Sequence, residues 1–342
     1  MRYFLFLFFP LFSVSAFSQK NDFTVHRLSL PPEISYYDNQ FSGLYISDEK
    51  LFFMSESRLQ DLAEPKLYTI KVSDLDRKIS DSNFSLPYQK MHIYNLDLLR
   101  EKIKEKGDDY EGLEAMVIKG DDIYFTVETA TPSANCYLLK GHINYTNVVM
   151  DPDILVTMPK PVNRNRSHIY NAGFEALAAE GDNLFAFFEY NYFPQVNFVN
   201  MIPASSLEKG GEIHPMFTDR IPFRVTDITS VRPNGYTALN YFYKGGGDDA
   251  VYRVPKTDAS ANRLTMDSSG AYHSYCRLID ISFSGTLFTW KTLWEFPEEY
   301  FGYNWEGIAA YKKGYFIMND KYTPAKPYSS TLLYLRANEV KP

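Results

Sequence analysis

Cysteine is nearly missing: the 342-residue chain has two, Cys136 and Cys276. Two thiols cannot build a disulfide framework or a cysteine-rich zinc site. Both lie in apolar, strand-like stretches (Asn135–Leu139 and Ser274–Ile279), the setting of buried free thiols, although an exported protein could pair them. Histidine is scarce too, at six, and none falls within the repeat frame described below, so a histidine-rich transition-metal site is not indicated. His168 comes nearest, just ahead of the third repeat. Basic residues are outnumbered, 35 against 42 acidic, for a net charge of −7. That balance argues against nucleic acid and anionic membranes as partners and suits a cation or a neutral ligand. No run after the first 18 residues is long and apolar enough to span a membrane. No G-x-S-x-G elbow, P-loop, H-E-x-x-H or dinucleotide fingerprint occurs, so the enzyme classes those motifs define are unsupported. A low-complexity or Pro/Ser-rich linker is absent as well, which leaves 19–342 as one domain.

Aromatic residues, by contrast, are abundant at 16%, with 27 Tyr and 26 Phe, and favour strands over helices. Apolar residues at 45% and charged residues at 23% provide a sizeable core and exclude global disorder. Met1–Ser18 carries one Arg, an apolar stretch and small residues, Ala16 and Ser18, before Gln19. It reads as a secretory signal peptide, and a periplasmic or secreted monomer is expected after its removal.

Five segments share one frame. They open at Ser42, Glu114, Glu175, Asp227 and Glu306, and close 14 residues later at Glu56, Glu128, Glu189, Tyr241 and Asp320. Between each opener and closer, two β-type runs flank a tight turn (SDEK, KGDD, EGDN, RPNG, YKKG), the pattern of a β-hairpin. More strand-like material follows each hairpin, including Lys66–Val72, Lys90–Tyr94, Tyr137–Ile143 and Ile154–Met158. Units of about four strands, repeated in this way, predict an all-β chain folded as a five-bladed β-propeller. The long fourth interval, with Ala250–Val254, Tyr275–Ser282 and Leu287–Glu295, has room for a sixth blade. The last unit lacks a strand beyond Thr331–Arg336, and Phe23–Leu30 can supply it and close the ring. Asn95–Gly107 predicts one helix, capped by Asn95 and stopped at Gly107, as a lid or a packed loop element.

In such a fold the openers line the channel and the closers sit beside them at the same end of each hairpin. Four carboxylates and a hydroxyl crowded together must protonate or share a cation. Ser42, Glu114, Glu175, Asp227 and Glu306 are therefore candidate metal ligands, and all-oxygen ligation suits Ca²⁺. Glu128, Glu189 and Asp320 are candidate general bases. Arg58, Arg224 and Lys321, with Lys244, flank the same hairpin ends and could hold an anionic substrate group. Aromatics near these ends (Tyr110, Tyr170, Tyr190, Tyr192, Tyr243, Tyr303 and Trp305) could instead receive a sugar or peptide. Gly245–Asp249 lacks the spacing of a calcium loop.

The segments Asn171-Ala-Gly-Phe-Glu175-Ala-Leu, Asn304-Trp-Glu306-Gly-Ile and Tyr110-Glu-Gly-Leu-Glu114-Ala-Met resemble the phytase-like domain described as having esterase-like activity. Phe41-Ser42-Gly-Leu, Asp227-Ile, Glu189 and Asn319-Asp320 fit the same pattern, and the likeness extends through the mature chain. The resemblance implies a secreted β-propeller that hydrolyses phosphate-containing or other esters. Tyr241 departs from it, standing where the family tends to have an acidic–basic pair. A more distant likeness is to calcium-activated apyrases. It implies an axial calcium ringed by Ser42, Glu114, Glu175, Asp227 (or nearby Ser230) and Glu306. Two functional expectations follow: a metal-dependent hydrolase, acting on charged or on neutral esters such as lactones, or a non-catalytic propeller that binds a small-molecule or cell-envelope ligand around a structural Ca²⁺.

Overall fold

The structure is a computed structural model that describes residues 23–58, 64–163 and 166–338. The expected leader, Met1–Ser18, lies outside them. The strands form antiparallel four-stranded meanders, each built by successive hairpins. The first comprises β2 (Phe41–Ser47), β3 (Lys50–Ser55), β4 (Lys66–Lys71) and β5 (Gln89–Tyr94). The second comprises β6 (Tyr110–Lys119), β7 (Asp122–Thr129), β8 (Asn135–Asn144) and β9 (Asn147–Pro159). The third comprises β10 (Ala176–Glu180), β11 (Asn183–Phe187), β12 (Asn197–Pro203) and β13 (His214–Thr218). The fourth comprises β14 (Arg224–Arg232), β15 (Gly235–Phe242), β16 (Tyr275–Ser284) and β17 (Leu287–Glu295). The last comprises β18 (Trp305–Tyr311), β19 (Gly314–Asn319) and β20 (Leu332–Ala337), completed by β1 (Phe23–Leu28), which pairs with β20 in antiparallel register from Phe23–Ala337 to Leu28–Leu332. The N-terminal strand thus closes the fold, as its sequence suggested.

The first strands β2, β6, β10, β14 and β18 pack on one another in cyclic order, with β18 returning to β2. An apolar cluster fills each gap between neighbouring meanders, and Cys136 and Cys276 are buried in two of these clusters as free thiols. This is a propeller-like, all-β arrangement. Its hydrogen-bonded sheets, however, number three rather than five or six. Parallel pairing of β5 with β9 and of β13 with β17 fuses the first two meanders into one eight-stranded sheet and the next two into another. The Ala250–Val254 strand is also not formed. That stretch is largely a 3₁₀ turn, Gly247–Tyr252, in a long excursion between β15 and β16.

The expected helix forms over Leu96–Glu105 and buries Leu96, Leu99 and Ile103, its i, i+3, i+7 stripe, against the β6–β9 sheet. Asn95 does not cap it. Its φ is +66°, and its side-chain amide donates to the Met150 carbonyl. The helix is a packed element and contributes no residue to the large cavity described next. Among the described residues no helix is long and apolar enough to cross a membrane.

Candidate functional site

The inner strands begin with an irregularity that aims one side chain at the channel mouth. Pairing skips Ser42 in β2, Glu114 in β6, Thr226 in β14 and Glu306 before the body of β18, while Glu175 immediately precedes the first paired residue of β10. A β-bulge re-aims the residue it leaves unpaired. The fourth ring position is therefore Thr226, not Asp227. The fourth hairpin carries a second irregularity between Ser230 and Arg232, so Thr226 to Tyr241 spans 15 residues where the other hairpins span 14. Counting back at constant spacing lands one residue late.

The ring positions then divide by chemistry. The short hydroxyls tie units together: Ser42 donates to the Leu113 carbonyl at 2.7 Å and Thr226 to the Trp305 carbonyl at 2.7 Å, in each case just before the next ring residue. Asp227, 2% exposed, sits one residue further in, where the other inner strands carry Gly or Ala. Its carboxylate accepts from three backbone N–H groups: Leu44 at 3.3 Å, Ile308 at 2.7 Å and Ile228 at 2.8 Å. It joins three of the inner strands. Ser42 and Asp227 are thus spent on holding the fold and do not join the candidate metal cluster.

That cluster is Glu114, Glu128 and Glu175. Each offers an oxygen, and the three oxygens lie within 4.8 Å of one another. All three residues are buried, and one oxygen each of Glu128 and Glu175 has no hydrogen-bond partner. A buried acceptor without a donor costs about 1–3 kcal/mol and requires an explanation. An ion equidistant from three oxygens no more than 4.8 Å apart lies no more than about 2.8 Å from each. That limit accommodates Ca²⁺, which binds oxygen at about 2.3–2.6 Å through flexible carboxylates, more readily than Mg²⁺, which demands near-octahedral geometry at about 2.0–2.1 Å. Two glycines make the convergence sterically available. A Cβ on Gly173 would lie 3.2 Å from Glu128 Cβ, and one on Gly112 would lie 3.2 Å from Glu114 Oε1 and 3.3 Å from Glu56 Cβ.

Burial raises the acids together. The carboxyl of Glu128 is pushed up to about 8, by burial first and then by the charge of Glu189. Glu56 is pushed up to about 7 by burial, against the pull of Arg58. Glu114 and Glu175 are raised well above the carboxylate range, by burial and then by Glu56 and Glu189 respectively. The cluster is therefore proton-loaded near neutrality, and a divalent cation must displace those protons to bind.

These acids line a cavity of about 1140 Å³, with nine acidic side chains against three basic ones on its wall. Glu306 and Asp320 form the wall contributed by the last meander, bridged by Asn304, whose amide nitrogen donates to Glu306 Oε1 at 2.5 Å and to Asp320 Oδ2 at 3.2 Å. Glu306 does not belong to the three-oxygen cluster. Glu189 is wholly buried. It accepts from the Tyr252 hydroxyl and faces Arg224 Nε at 3.6 Å, which makes it an anchor for the β15–β16 excursion rather than an accessible base.

The three expected anion-binding cations are engaged. Arg58 pairs with Glu56 and Glu111, each at 3.4 Å. Arg224 pairs with Asp249 at 3.0 Å and lies over the Tyr252 ring. Lys321 Nζ donates to Gln40 Oε1 at 2.6 Å. Of the aromatics singled out above, Tyr243 reaches the cavity. Trp305 and Tyr303 are buried, and the other aromatic side chains on the cavity wall are Tyr241, Phe301, Tyr322 and Tyr328. The sequence carries a further signal of the site. Two residues before each ring position stand Gln40, Gly112, Gly173, Arg224 and Asn304, which either clear space for an acid or extend a polar group to the cavity.

No family model and no curated protein matches the sequence. Among solved structures, the soluble aldose sugar dehydrogenase of Escherichia coli aligns over 92% of this chain and 100% of its own at 10% identity, with a TM-score of 0.48. A GH43 β-1,3-galactosidase aligns over 92% and 60% at 10% identity, with a TM-score of 0.48. The GH43_1 enzyme of Xanthomonas citri, solved with xylotriose, aligns over 91% and 90% at 9% identity, with a TM-score of 0.43. These are likenesses of broad architecture at low identity, and they assign no role to any residue of this chain.

Proposed function

We propose that this chain is an exported, cation-dependent hydrolase of neutral ester or lactone substrates. The observation that carries the reading is the buried convergence of Glu114, Glu128 and Glu175 with acceptor oxygens left unpaired on two of them. Glu114, Glu128 and Glu175 would hold the cation, with Ca²⁺ the best match in size and donor type. When bound, the ion supplies a Lewis acid for a substrate carbonyl. The chain's own residues do the rest. Gly112 and Gly173 let the three acids converge, and Tyr243, Tyr322 and Tyr328 share the cavity wall with them.

The phosphate-containing substrates suggested by family resemblance find less support. Arg58, Arg224 and Lys321 already have partners, and a cavity rich in acids repels an anion even after one divalent ion binds. An axial structural ion is likewise disfavoured, because Asp227 and backbone N–H groups occupy the centre of the inner strands.

Thermal melts in CaCl₂, MgCl₂ and EDTA, followed by assays on a γ-lactone, p-nitrophenyl acetate and p-nitrophenyl phosphate, test the reading. It requires a Ca²⁺-dependent rise in Tm and Ca²⁺-dependent turnover of the lactone or acetate exceeding that of the phosphate. Absence of any Ca²⁺ shift sinks the cation site. A shift with no turnover of the three substrates leaves a binding protein, and dominant phosphate turnover restores the anionic substrate.

A further inference from the structure

Across the cavity from the three-acid cluster, Glu306 and Asp320 are held by one amide. Their oxygens lie 2.5 Å and 3.2 Å from Asn304 Nδ2, hence within about 5.7 Å of each other. Two carboxyls that close repel, so the pair loses its two protons in separate steps, the second at higher pH than the first. Their surroundings are unequal. Asp320 is 5% exposed and accepts three hydrogen bonds, from the backbone N–H groups of Lys321 and Tyr322 (the latter at 2.6 Å) and from Asn304. Lys321 also carries its charge beside it. Glu306 accepts one hydrogen bond, from Asn304, and is half-buried on the cavity wall. Donors to a carboxylate favour its charged form, so the proton belongs where donors are fewest.

We propose that Glu306 and Asp320 form a proton-sharing pair in which Asp320 is the carboxylate and Glu306 the acid that presents its proton to the cavity, with Asn304 setting their orientation. The charged groups around Glu306 are Asp320, Glu56 and Glu189, with Glu114 and Glu175 of the three-acid cluster, all of which push it toward protonation after burial has done so, and Arg224, which opposes them. Burial raises Asp320 as well, but its three donors pull it back. The pair's use in catalysis rests on the hydrolase reading, whereas its proton arrangement does not. In ester hydrolysis, water adds its oxygen to the acyl carbon and gives a proton to Asp320. The bond from the acyl carbon to the alkoxy oxygen breaks, and that oxygen takes the Glu306 proton. The proton on Asp320 then passes to Glu306, restoring the pair and leaving one acid and one alcohol.

The test compares Glu306→Gln with Asp320→Asn in EDTA, so that neither cation nor substrate enters. Glutamine imitates a protonated Glu306 and still accepts from Asn304. E306Q should hold its Tm within about 1 °C at pH 6 and exceed wild type at pH 8. D320N sets a second amide against the Asn304 amide and removes the charge its donors solvate, so it should lose roughly 5 °C or more at both pH values. Equal losses, or a loss confined to E306Q, overturn the assignment. Should D320N fail to fold, infrared spectra decide. At pH 6, E306Q must lose part of the protonated-carboxyl carbonyl band, and an unchanged band overturns the proposal. Calcium melts of the same variants report on the three-acid cluster separately.

Discussion

Asp227 and Glu175 are both buried carboxylates at the starts of inner strands, yet they live in opposite circumstances. Asp227 has a backbone donor from each of three strands, while Glu175 keeps an oxygen with no donor at all. Burial raises the carboxyl of each, but only at Asp227 do hydrogen bonds counter it. The contrast teaches that acidity and burial do not mark a site in this fold. An unsatisfied oxygen that also faces other acids on the cavity wall, as in Glu128 and Glu175, does.

The sharpest way to break the comparison is to neutralise both acids. Asp227→Asn turns an amide N–H₂ toward backbone donors and should cost on the order of 3 kcal/mol, read as a lower denaturant midpoint, whereas Glu175→Gln in EDTA at pH 8 should cost little or stabilise. Similar losses for the two would show that Glu175 is also structural. Next in size is the response to Ca²⁺. Wild type should gain several degrees in Tm, and the Glu128→Gln/Glu175→Gln double variant should gain none. A retained shift would place the ion elsewhere.

A third measurement uses pH. Carboxyls whose folded values lie above the ordinary 4.5 stabilise the fold most below that value. That contribution is lost as pH rises through the folded values, about 7 for Glu56 and about 8 for Glu128. In EDTA, Tm should fall between pH 5 and pH 9, and saturating Ca²⁺ should flatten the decline by replacing the protons. A rise over that range would contradict the electrostatics of the cluster. The smallest effect concerns Gly173. Gly173→Ala brings a methyl against Glu128 and should weaken Ca²⁺ binding by about tenfold by calorimetry, with Tm in EDTA nearly unchanged.

Much of the architecture was legible because a hairpin repeated in one frame leaves a periodic trace: apolar runs, a turn, and a polar residue at each end. The closing role of Phe23–Leu28 followed from a strand deficit at the other end of the chain. Local spacing could not reveal the bulge that lengthens the fourth hairpin and moves Thr226 into the ring position, nor the parallel edge contacts that merge neighbouring meanders. The candidate site was legible in part. The ring frame points to Glu114 and Glu175 as ligands, and Glu128, which the same frame places as a base, stands among them. Arg58, Arg224 and Lys321 were assigned to an anion because a sequence displays charges without their partners, and those partners come from residues such as Glu111, Asp249 and Gln40 that are distant along the chain. Asn304 carried its signal in plain view, two residues before Glu306, but its meaning depends on Asp320 lying opposite.

The pairing of β1 with β20 has a mechanical side. Phe23 lies opposite Ala337, so the start of β1 and the end of β20 stand at the same end of one strand pair. Tension applied through both ends would open that pair rung by rung, as a zipper, instead of shearing all its hydrogen bonds at once. A pull applied at Phe23 and Ala337 therefore meets the β1–β20 pair in its weaker, peeling direction.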